Sequence, residues 1–166
     1  SLPTSPSARA RFGMVYDPVR RVAVMFGGVL SSGVATNEAW EYNGTTWVSR
    51  PSGLVGARSD HAMTYDFARR QIVMFGGVQG NMLLNDTWTY DGVTWSEKAV
   101  VPGAAVPVAR KNPALGYRAC SGKVVLFGGE AAGIEARDDS FEWDGVRWTE
   151  TTMRTGTRPV YRHSLS

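Results

Sequence analysis

The most regular feature of the chain is a strongly apolar run that occurs three times, each time closed by two glycines. The three segments read RRVAVMFGG at 20–28, RRQIVMFGG at 69–77 and GKVVLFGG at 122–129. Their apolar residues follow one another without the alternation of a half-exposed strand, which is typical of strands buried on both faces. The pattern therefore predicts three buried strands, and the glycine pairs indicate close backbone approach or positive φ at the strand ends.

A second recurring pattern follows each glycine pair after a more variable segment. It reads WEYNGTTW at 40–47, WTYDGVTW at 88–95 and FEWDGVRW at 141–148. The alternation of aromatic and polar residues predicts a strand, and the Asn-Gly or Asp-Gly pair predicts a tight hairpin turn, because these residues tolerate positive φ. The strand that begins at the last Trp of each pattern soon becomes polar, as expected of an exposed edge strand.

Three tyrosines place the whole chain in register with a period close to 50 residues: Tyr16, Tyr65 and Tyr117. Seven residues before each of them stands an arginine, namely Arg9, Arg58 and Arg110. Each unit then reads as four short antiparallel strands, which predicts units at about 9–50, 58–99 and 110–151 within a repeat region at 9–157. Residues 1–8 are predicted to be a linker, and 158–166, which contain YRHSLS, to begin a fourth unit or to supply a ring-closing strand.

Together these features resemble kelch repeats, in which a glycine pair follows an apolar strand and a Trp/Tyr strand leads to a second Trp. The resemblance covers residues 9 to about 152, and the third unit departs from it by Phe141 and Trp143, which keep the aromatic bulk. It implies an all-β fold of three four-stranded antiparallel β-propeller blades. The sequence pattern of the repeats is similar to that of kelch repeats in bacterial cell-surface and secreted proteins. This similarity favours a secreted or cell-surface location.

The number of units raises a question of assembly. Closed propellers need about four to eight blades, so three blades expose two apolar faces. Two solutions stay open: a homodimer that completes a six-bladed ring, with residues 160–166 near the junction, or a longer propeller of which this chain is a piece.

Composition narrows the classes of function. The 166 residues carry a net charge of +3, and the arginines are scattered through turns, so the sequence shows no basic stripe that could bind nucleic acid. No apolar run is long enough to span a membrane. One cysteine, Cys120, and two histidines, His61 and His163, predict no cysteine cluster, no metal site and no cofactor.

Kelch-type enzymes provide a comparison for catalytic groups. The resemblance to copper radical oxidases would require a Cys-linked Tyr with two His ligands, and Cys120 stands in a predicted turn. The E-x-x-x-D-x-x-x-H pattern of iron-assisted specifier proteins matches Glu135 and Asp139, but Trp143 occupies the histidine position. The chain is therefore predicted not to be an enzyme.

The candidate binding surface is one end of the predicted sheets, which we call the loop end. If the strands alternate in direction, this end carries the segments between second and third strands, at 29–38, 78–86 and 130–139, and the connections at 52–57 and 102–109. Variable loops on a rigid scaffold are where binding is usually located. The candidate ligand-binding residues on it are Arg9, Arg58, Arg110, Asn81, Met82, Leu83, Glu135 and Arg137.

The three arginines allow two interpretations. Guanidinium groups grip carboxylates in a bidentate manner and could form a cationic rim for an anionic ligand. Alternatively, each arginine anchors backbone carbonyls between units, which the repetition favours. The predicted function is a non-catalytic binding module for a protein or peptide segment, with a carbohydrate as the alternative ligand and a sugar mutarotase or epimerase as the third hypothesis.

Overall fold

The computed structural model describes residues 4–133 and 136–151, and in this part of the chain the regular structure is entirely β. The strands, in chain order, are β1 Arg9–Ala10, β2 Gly13–Asp17, β3 Val22–Phe26, β4 Val29–Leu30, β5 Ala39–Tyr42, β6 Trp47–Arg50, β7 Ala62–Asp66, β8 Gln71–Gln79, β9 Met82–Tyr90, β10 Trp95–Glu97, β11 Arg110–Lys111, β12 Ala114–Arg118, β13 Lys123–Phe127, β14 Glu130–Ala131, β15 Ser140–Trp143 and β16 Trp148–Thr151. The candidate site residue Glu135 and the predicted closing segment 158–166 lie outside the described residues.

The strands form three four-stranded antiparallel sheets, so the predicted all-β class with four-stranded antiparallel sheets is confirmed. Sheet 1 has the order β2-β3-β5-β6, sheet 2 β7-β8-β9-β10 and sheet 3 β12-β13-β15-β16. Each sheet is thus a meander in which every strand pairs with the next long strand of the chain. The pairs β1–β4 and β11–β14 add short two-stranded extensions at the loop end of sheets 1 and 3.

Sheet 2 differs from the sequence prediction at the loop end. Residues 78–86 are predicted as a loop, but β8 and β9 continue as a hairpin whose last pair is Gln79 with Met82. The pairing register shifts between Phe75 and Gly77, and Ser59 bridges to Val78 from the preceding connection. The hairpin therefore forms because a segment outside it supplies backbone hydrogen bonds that local sequence does not reveal.

Side-chain alternation gives each sheet two distinct faces. The aromatic face of a sheet carries the repeated Tyr and Trp residues, for example Tyr65, Trp88 and Trp95 in sheet 2. The opposite, aliphatic face carries Val24 and Phe26 in sheet 1 and their equivalents Val73 and Phe75 in sheet 2. These two faces determine how the sheets stack.

Two hydrophobic clusters join the sheets in succession. The first packs the aliphatic face of sheet 1 against the aromatic face of sheet 2, and the second packs the aliphatic face of sheet 2 against the aromatic face of sheet 3. The first strands β2, β7 and β12 are neighbours across these boundaries. Burial on both sides explains why Val73 and Phe75 of β8 are 0% exposed and why its apolar run does not alternate.

Candidate functional site at the loop end

The three repeated arginines occupy equivalent, buried positions at the loop end. Their side chains are only 2%, 2% and 0% exposed for Arg9, Arg58 and Arg110. Arg58 donates to the Gly76 carbonyl at 3.1 Å and grips Asp86 through two hydrogen bonds of 2.8 and 2.7 Å. Asp86 also accepts a hydrogen bond from the Trp88 indole. These contacts, which we call the arginine joint, therefore connect Arg58 to the third strand of sheet 2.

The same arginine joint is present in the other two sheets. Arg110 donates to the Gly128 carbonyl at 2.9 Å and to both carboxylate oxygens of Asp139 at 2.5 and 2.9 Å. Arg9 donates to the Gly27 carbonyl at 3.2 Å and to Glu38 at 2.5 Å. Each guanidinium thus bonds a carbonyl of the glycine pair and an acidic side chain of its own sheet, and its burial keeps it from an external anion.

Of the other predicted site residues, three lie at the tip of the sheet 2 hairpin. Asn81 is exposed, Met82 is 66% exposed and Leu83 is half-buried. Arg137 lies just before β15 and donates to Asp139 at 2.9 Å, so the Asp139 carboxylate is shared by two arginines. Burial raises the pKa of Asp139, but the hydrogen bonds from Arg110 and Arg137 outweigh it and hold the pKa below its usual value.

A groove of about 420 Å³ opens at the loop end between sheets 1 and 2. One wall is the 29–35 segment of sheet 1 and the other is the sheet 2 hairpin. The lining combines apolar and polar surface in similar amounts, from Val29, Val34, Ala35, Ala57 and Val78 together with Arg11, Ser59 and Gln79. Val34 is 62% exposed, and Gly80 joins the groove directly to the exposed hairpin tip.

Arg11 provides the charged group of this groove. Its side chain is 51% exposed and donates two hydrogen bonds to the buried carboxylate of Asp60. Burial raises the pKa of Asp60, but the hydrogen bonds from Arg11 and Ser59 outweigh it and keep the pKa below its usual range. The groove therefore presents a fixed, half-exposed guanidinium beside apolar walls.

The backbone beside Arg11 connects the three sheets. Arg11, Asp60 and Asn112 hold equivalent positions and all have positive φ, at 60°, 56° and 52°. The Asp60 amide donates to the Arg11 carbonyl at 2.9 Å, and the Asn112 amide donates to the Asp60 carbonyl at 2.8 Å. These hydrogen bonds fix the spacing of the first strands and hence the width of the groove.

Sequence reasoning missed Arg11, Ser59 and Gln79 as groove residues. A usable signal existed for the first, because Arg11 and Asp60 occupy the same position of consecutive units and carry opposite charges. Gln79 gave no such signal. Its side chain packs against Gly56 of the connection that precedes its unit, a contact that alignment of the repeats does not show.

Behind the groove, His61 is buried between sheets 1 and 2. It is 7% exposed and makes an edge contact with Phe26, and neither ring nitrogen has a hydrogen-bond partner. Burial, together with the nearby Arg58 charge, lowers the pKa of His61 to about 3, against smaller opposing effects of Asp60 and Asp86. The imidazole is therefore neutral in the folded protein.

We expect His61 to lower the stability of the fold on acidification at pH values above those at which carboxylates titrate. Below the unfolded pKa of 6.5 the unfolded chain binds a proton that the folded chain does not, so stability falls as pH falls. Between pH 7 and 5 the free energy of unfolding should drop by about 2 kcal/mol. Urea unfolding at both pH values measures the drop, and in His61→Leu it should shrink to a few tenths of a kcal/mol. An undiminished drop in that variant would assign the effect elsewhere.

The opposite end of the sheets, which we call the hairpin end, carries a second cavity of about 760 Å³. It lies among the first strands and is mainly aromatic, with Tyr16, Tyr65, Phe67 and Tyr117 in its lining. Phe67 contacts both Tyr65 and Tyr117, at ring-centroid distances of 5.0 and 5.2 Å. None of the described residues that line this cavity carries a charged side chain, in contrast to the groove.

Groups suited to metal binding or nucleophilic catalysis are sparse in the described residues. No set of three or more His, Cys, Asp or Glu side chains within 4–133 and 136–151 is placed to hold a metal ion. Cys120 is exposed, and the Arg118 guanidinium lies 3.2 Å from its sulfur. The same part of the chain has no helix that could cross a bilayer.

Comparison with known proteins adds no assignment. No protein-family model matches the chain, and no curated protein is significantly similar to it.

Proposed function

We propose that the chain forms three kelch-type β-propeller blades and acts as a non-catalytic binding module that recognises a protein segment at the loop end. The proposed fold is supported by the sequence pattern of the repeats and by the meander order of each sheet. It is also supported by the contacts between successive first strands, which would line a propeller axis. The sheets stack face to face in chain order, as blades do.

The observation that carries the binding role is the groove between sheets 1 and 2. Its two walls are held at their bases by the Ser59–Val78 bridge and by the hydrogen bonds through Asp60, so it is preformed. Apolar walls with a few oriented polar groups are typical of peptide and ligand sites. Val34, which is 62% exposed, lines one side, and Gly80 joins the groove to the hairpin tip, where Met82 is 66% exposed, so the combined surface suits an extended chain.

The chemistry of the groove indicates what the segment should contain. An apolar side chain fits against Val29, Val34 and Val78, and a hydrogen-bond acceptor fits beside the half-exposed Arg11 guanidinium. Because Asp60 already neutralises Arg11, we expect the acceptor to be a backbone carbonyl or a polar side chain as readily as a carboxylate.

The test uses peptides selected on the chain from a displayed random library. We expect Val34→Asp and Met82→Asp each to weaken a selected peptide about tenfold or more, because the ligand would then cover an unpaired carboxylate. The matched control is Val93→Asp, which lies in the turn at the hairpin end and is 76% exposed. Titration calorimetry measures the affinities, and circular dichroism checks that each variant is folded.

Two outcomes would overturn this assignment. Equal weakening by Val93→Asp would place the site outside the groove. Failure to select any peptide, with a glycan array giving binding that Val34→Asp removes, would replace the protein ligand by a carbohydrate.

A further inference from the structure

A third cavity, of about 150 Å³, lies between sheets 2 and 3 beside their fourth strands, β10 and β16. The connection that leaves β10 covers it with residues 98–101 and 104–106. Residues 85–87 of sheet 2 and the indoles of Trp143 and Trp148 in sheet 3 also line it. The Trp148 indole donates to the Thr87 hydroxyl at 2.8 Å, so the two sheets are joined directly beside the cavity.

The equivalent place between sheets 1 and 2 is filled by the chain itself. Val55, from the connection that leaves β6, is 1% exposed and belongs to the same hydrophobic cluster as Trp95, the equivalent of Trp148. The Asn37 side-chain amide donates to the Val55 carbonyl at 3.4 Å. The first boundary therefore accepts an aliphatic side chain together with a backbone carbonyl.

The second connection does not fill its boundary in this way, because it is longer. Arg110 follows Trp95 by 15 residues, whereas Arg58 follows Trp47 by 11. Pro107, which stands where the first connection has its buried valine, is buried as well but does not form part of the cavity wall. The longer connection thus covers the boundary and leaves a cavity beneath it.

Two hydrogen-bond donors in the cavity wall have no partner among the described residues. Asn85, the equivalent of Asn37, is exposed, and its side-chain amide bonds no protein group there. The Trp143 side chain is 2% exposed, and its indole nitrogen is buried without an acceptor. Because buried donors are almost always paired in proteins, an occupant of the cavity should carry a hydrogen-bond acceptor as well as apolar surface.

The edge of β9 beside Asn85 has no partner strand in the part of the chain that the structure describes. β10 pairs with the end of β9, and one further hydrogen bond runs from the Lys98 amide to the Thr87 carbonyl at 2.8 Å. There the connection leaves the edge, whereas β9 extends back to Met82 and pairs only with β8. The first part of β9 therefore has one open edge, in line with β10.

The register of the hairpin determines which groups this edge presents. Val78 and Ser59 exchange two backbone hydrogen bonds, of 2.8 and 3.0 Å, so the N–H and C=O of Val78 point away from β9. Leu83 lies opposite Val78, and its own N–H and C=O therefore point away from β8. Residues 82–85 carry no charge, whereas β6, β10 and β16 each carry the charged side chain that commonly protects an edge from strand addition.

We propose that this edge and the cavity form one docking site for an extended peptide segment of a partner protein. The segment adds a strand beside Leu83, where its backbone pairs the open N–H and C=O groups, and inserts one Val, Ile or Leu side chain into the cavity. Its carbonyls supply the acceptor that the Asn85 amide lacks. Asn85 belongs both to β9 and to the cavity wall, so the anchoring side chain and the added strand are neighbours.

This docking site is independent of the groove between sheets 1 and 2. Ser59 and Val78 line the groove along the β8 edge of the hairpin, whereas the docking site lies along its β9 edge. The test therefore uses peptides selected from a displayed random library on Val34→Asp, the variant that blocks the groove. If the groove were not a binding site, the selection on Val34→Asp would be unaffected.

We expect the selected peptides to share one Val, Ile or Leu whose replacement by Ala weakens binding about tenfold or more. Leu83→Pro, made in the Val34→Asp background, should weaken them about 30-fold or more, since it removes the outward N–H and leaves the hydrogen bonds between β8 and β9 in place. Ala104→Leu should weaken them about tenfold, because its side chain takes up cavity volume. Ser49→Pro, on the exposed edge of β6, is the matched control and should change the affinity less than twofold.

Titration calorimetry measures these affinities, and circular dichroism with urea unfolding checks that each variant is folded. Equal affinity of folded Leu83→Pro and its parent would overturn strand addition, and an unchanged affinity of Ala104→Leu would overturn the anchor in the cavity. Failure to select any peptide on Val34→Asp would overturn the site as a whole. A dimer of the chain that Leu83→Pro dissociates would replace the peptide by a second copy.

Discussion

Arg110→Ala should destabilise the fold by about 3–5 kcal/mol, the range expected when one partner of a buried ion pair is removed. The Arg110 side chain is 0% exposed and bonds the Gly128 carbonyl and both oxygens of Asp139. Its loss leaves these acceptors buried with fewer donors and opens a cavity beside Phe141, over whose ring the guanidinium lies. Because domains are stable by only about 5–15 kcal/mol, the urea midpoint should fall sharply.

Arg137→Ala is the matched control for this prediction. Arg137 donates to the same Asp139 carboxylate, but its side chain is 26% exposed, and its backbone hydrogen bond to the Gly129 carbonyl is kept when the side chain is removed. Its removal should cost less than about 1 kcal/mol, as for a partly exposed ion pair. Unchanged stability of Arg110→Ala combined with lost ligand binding would contradict the architectural role and restore the cationic-rim interpretation.

Gly77→Ala is expected to have the second large effect, about 3 kcal/mol or more. Gly77 has a φ of +100°, and a Cβ there would lie 2.5 Å from the Ser59 carbonyl oxygen and 2.9 Å from the His61 backbone nitrogen. The substitution combines a strained backbone with displacement of the segment that bridges sheets 1 and 2. Thermal and urea unfolding measure the loss.

Gly80→Ala provides the comparison within the same hairpin. Gly80 also has positive φ, at +59°, but nothing lies within 4 Å of its Cβ position. Both substitutions reduce the freedom of the unfolded chain equally, so their difference reports the close approach at Gly77 together with its less favourable φ of +100°. We expect a cost of about 1 kcal/mol for Gly80→Ala. Equal losses for the two variants would show that backbone conformation alone requires these glycines.

The strands could be predicted because each is specified by a local sequence pattern that occurs in all three repeats. Apolar runs, hairpin dipeptides and alternating aromatics each specify a strand or a turn, and repetition confirms the boundaries. The β8–β9 hairpin was missed because residues 76–85 contain three glycines and no alternation, and its pairing depends on Ser59 from another segment.

Only the arginines of the arginine joint could be identified from the sequence. The arginines are obvious from their equal spacing, but their acidic partners were not recognised. Glu38, Asp86 and Asp139 follow their arginines by 29, 28 and 29 residues, a regularity that alignment would have revealed. The groove could not be predicted in this way, since it forms between two units whose distance depends on how the sheets stack.

Hydrogen–deuterium exchange of the chain with and without a selected peptide tests the binding surface most directly. We expect the peptide to slow amide exchange in residues 29–36 and 78–83, the two walls of the groove, and to leave the turns at 18–21 and 91–94 unchanged. Slowed exchange confined to the hairpin-end turns, at 18–21, 67–70 and 119–122, would contradict it and move the binding site to the aromatic cavity.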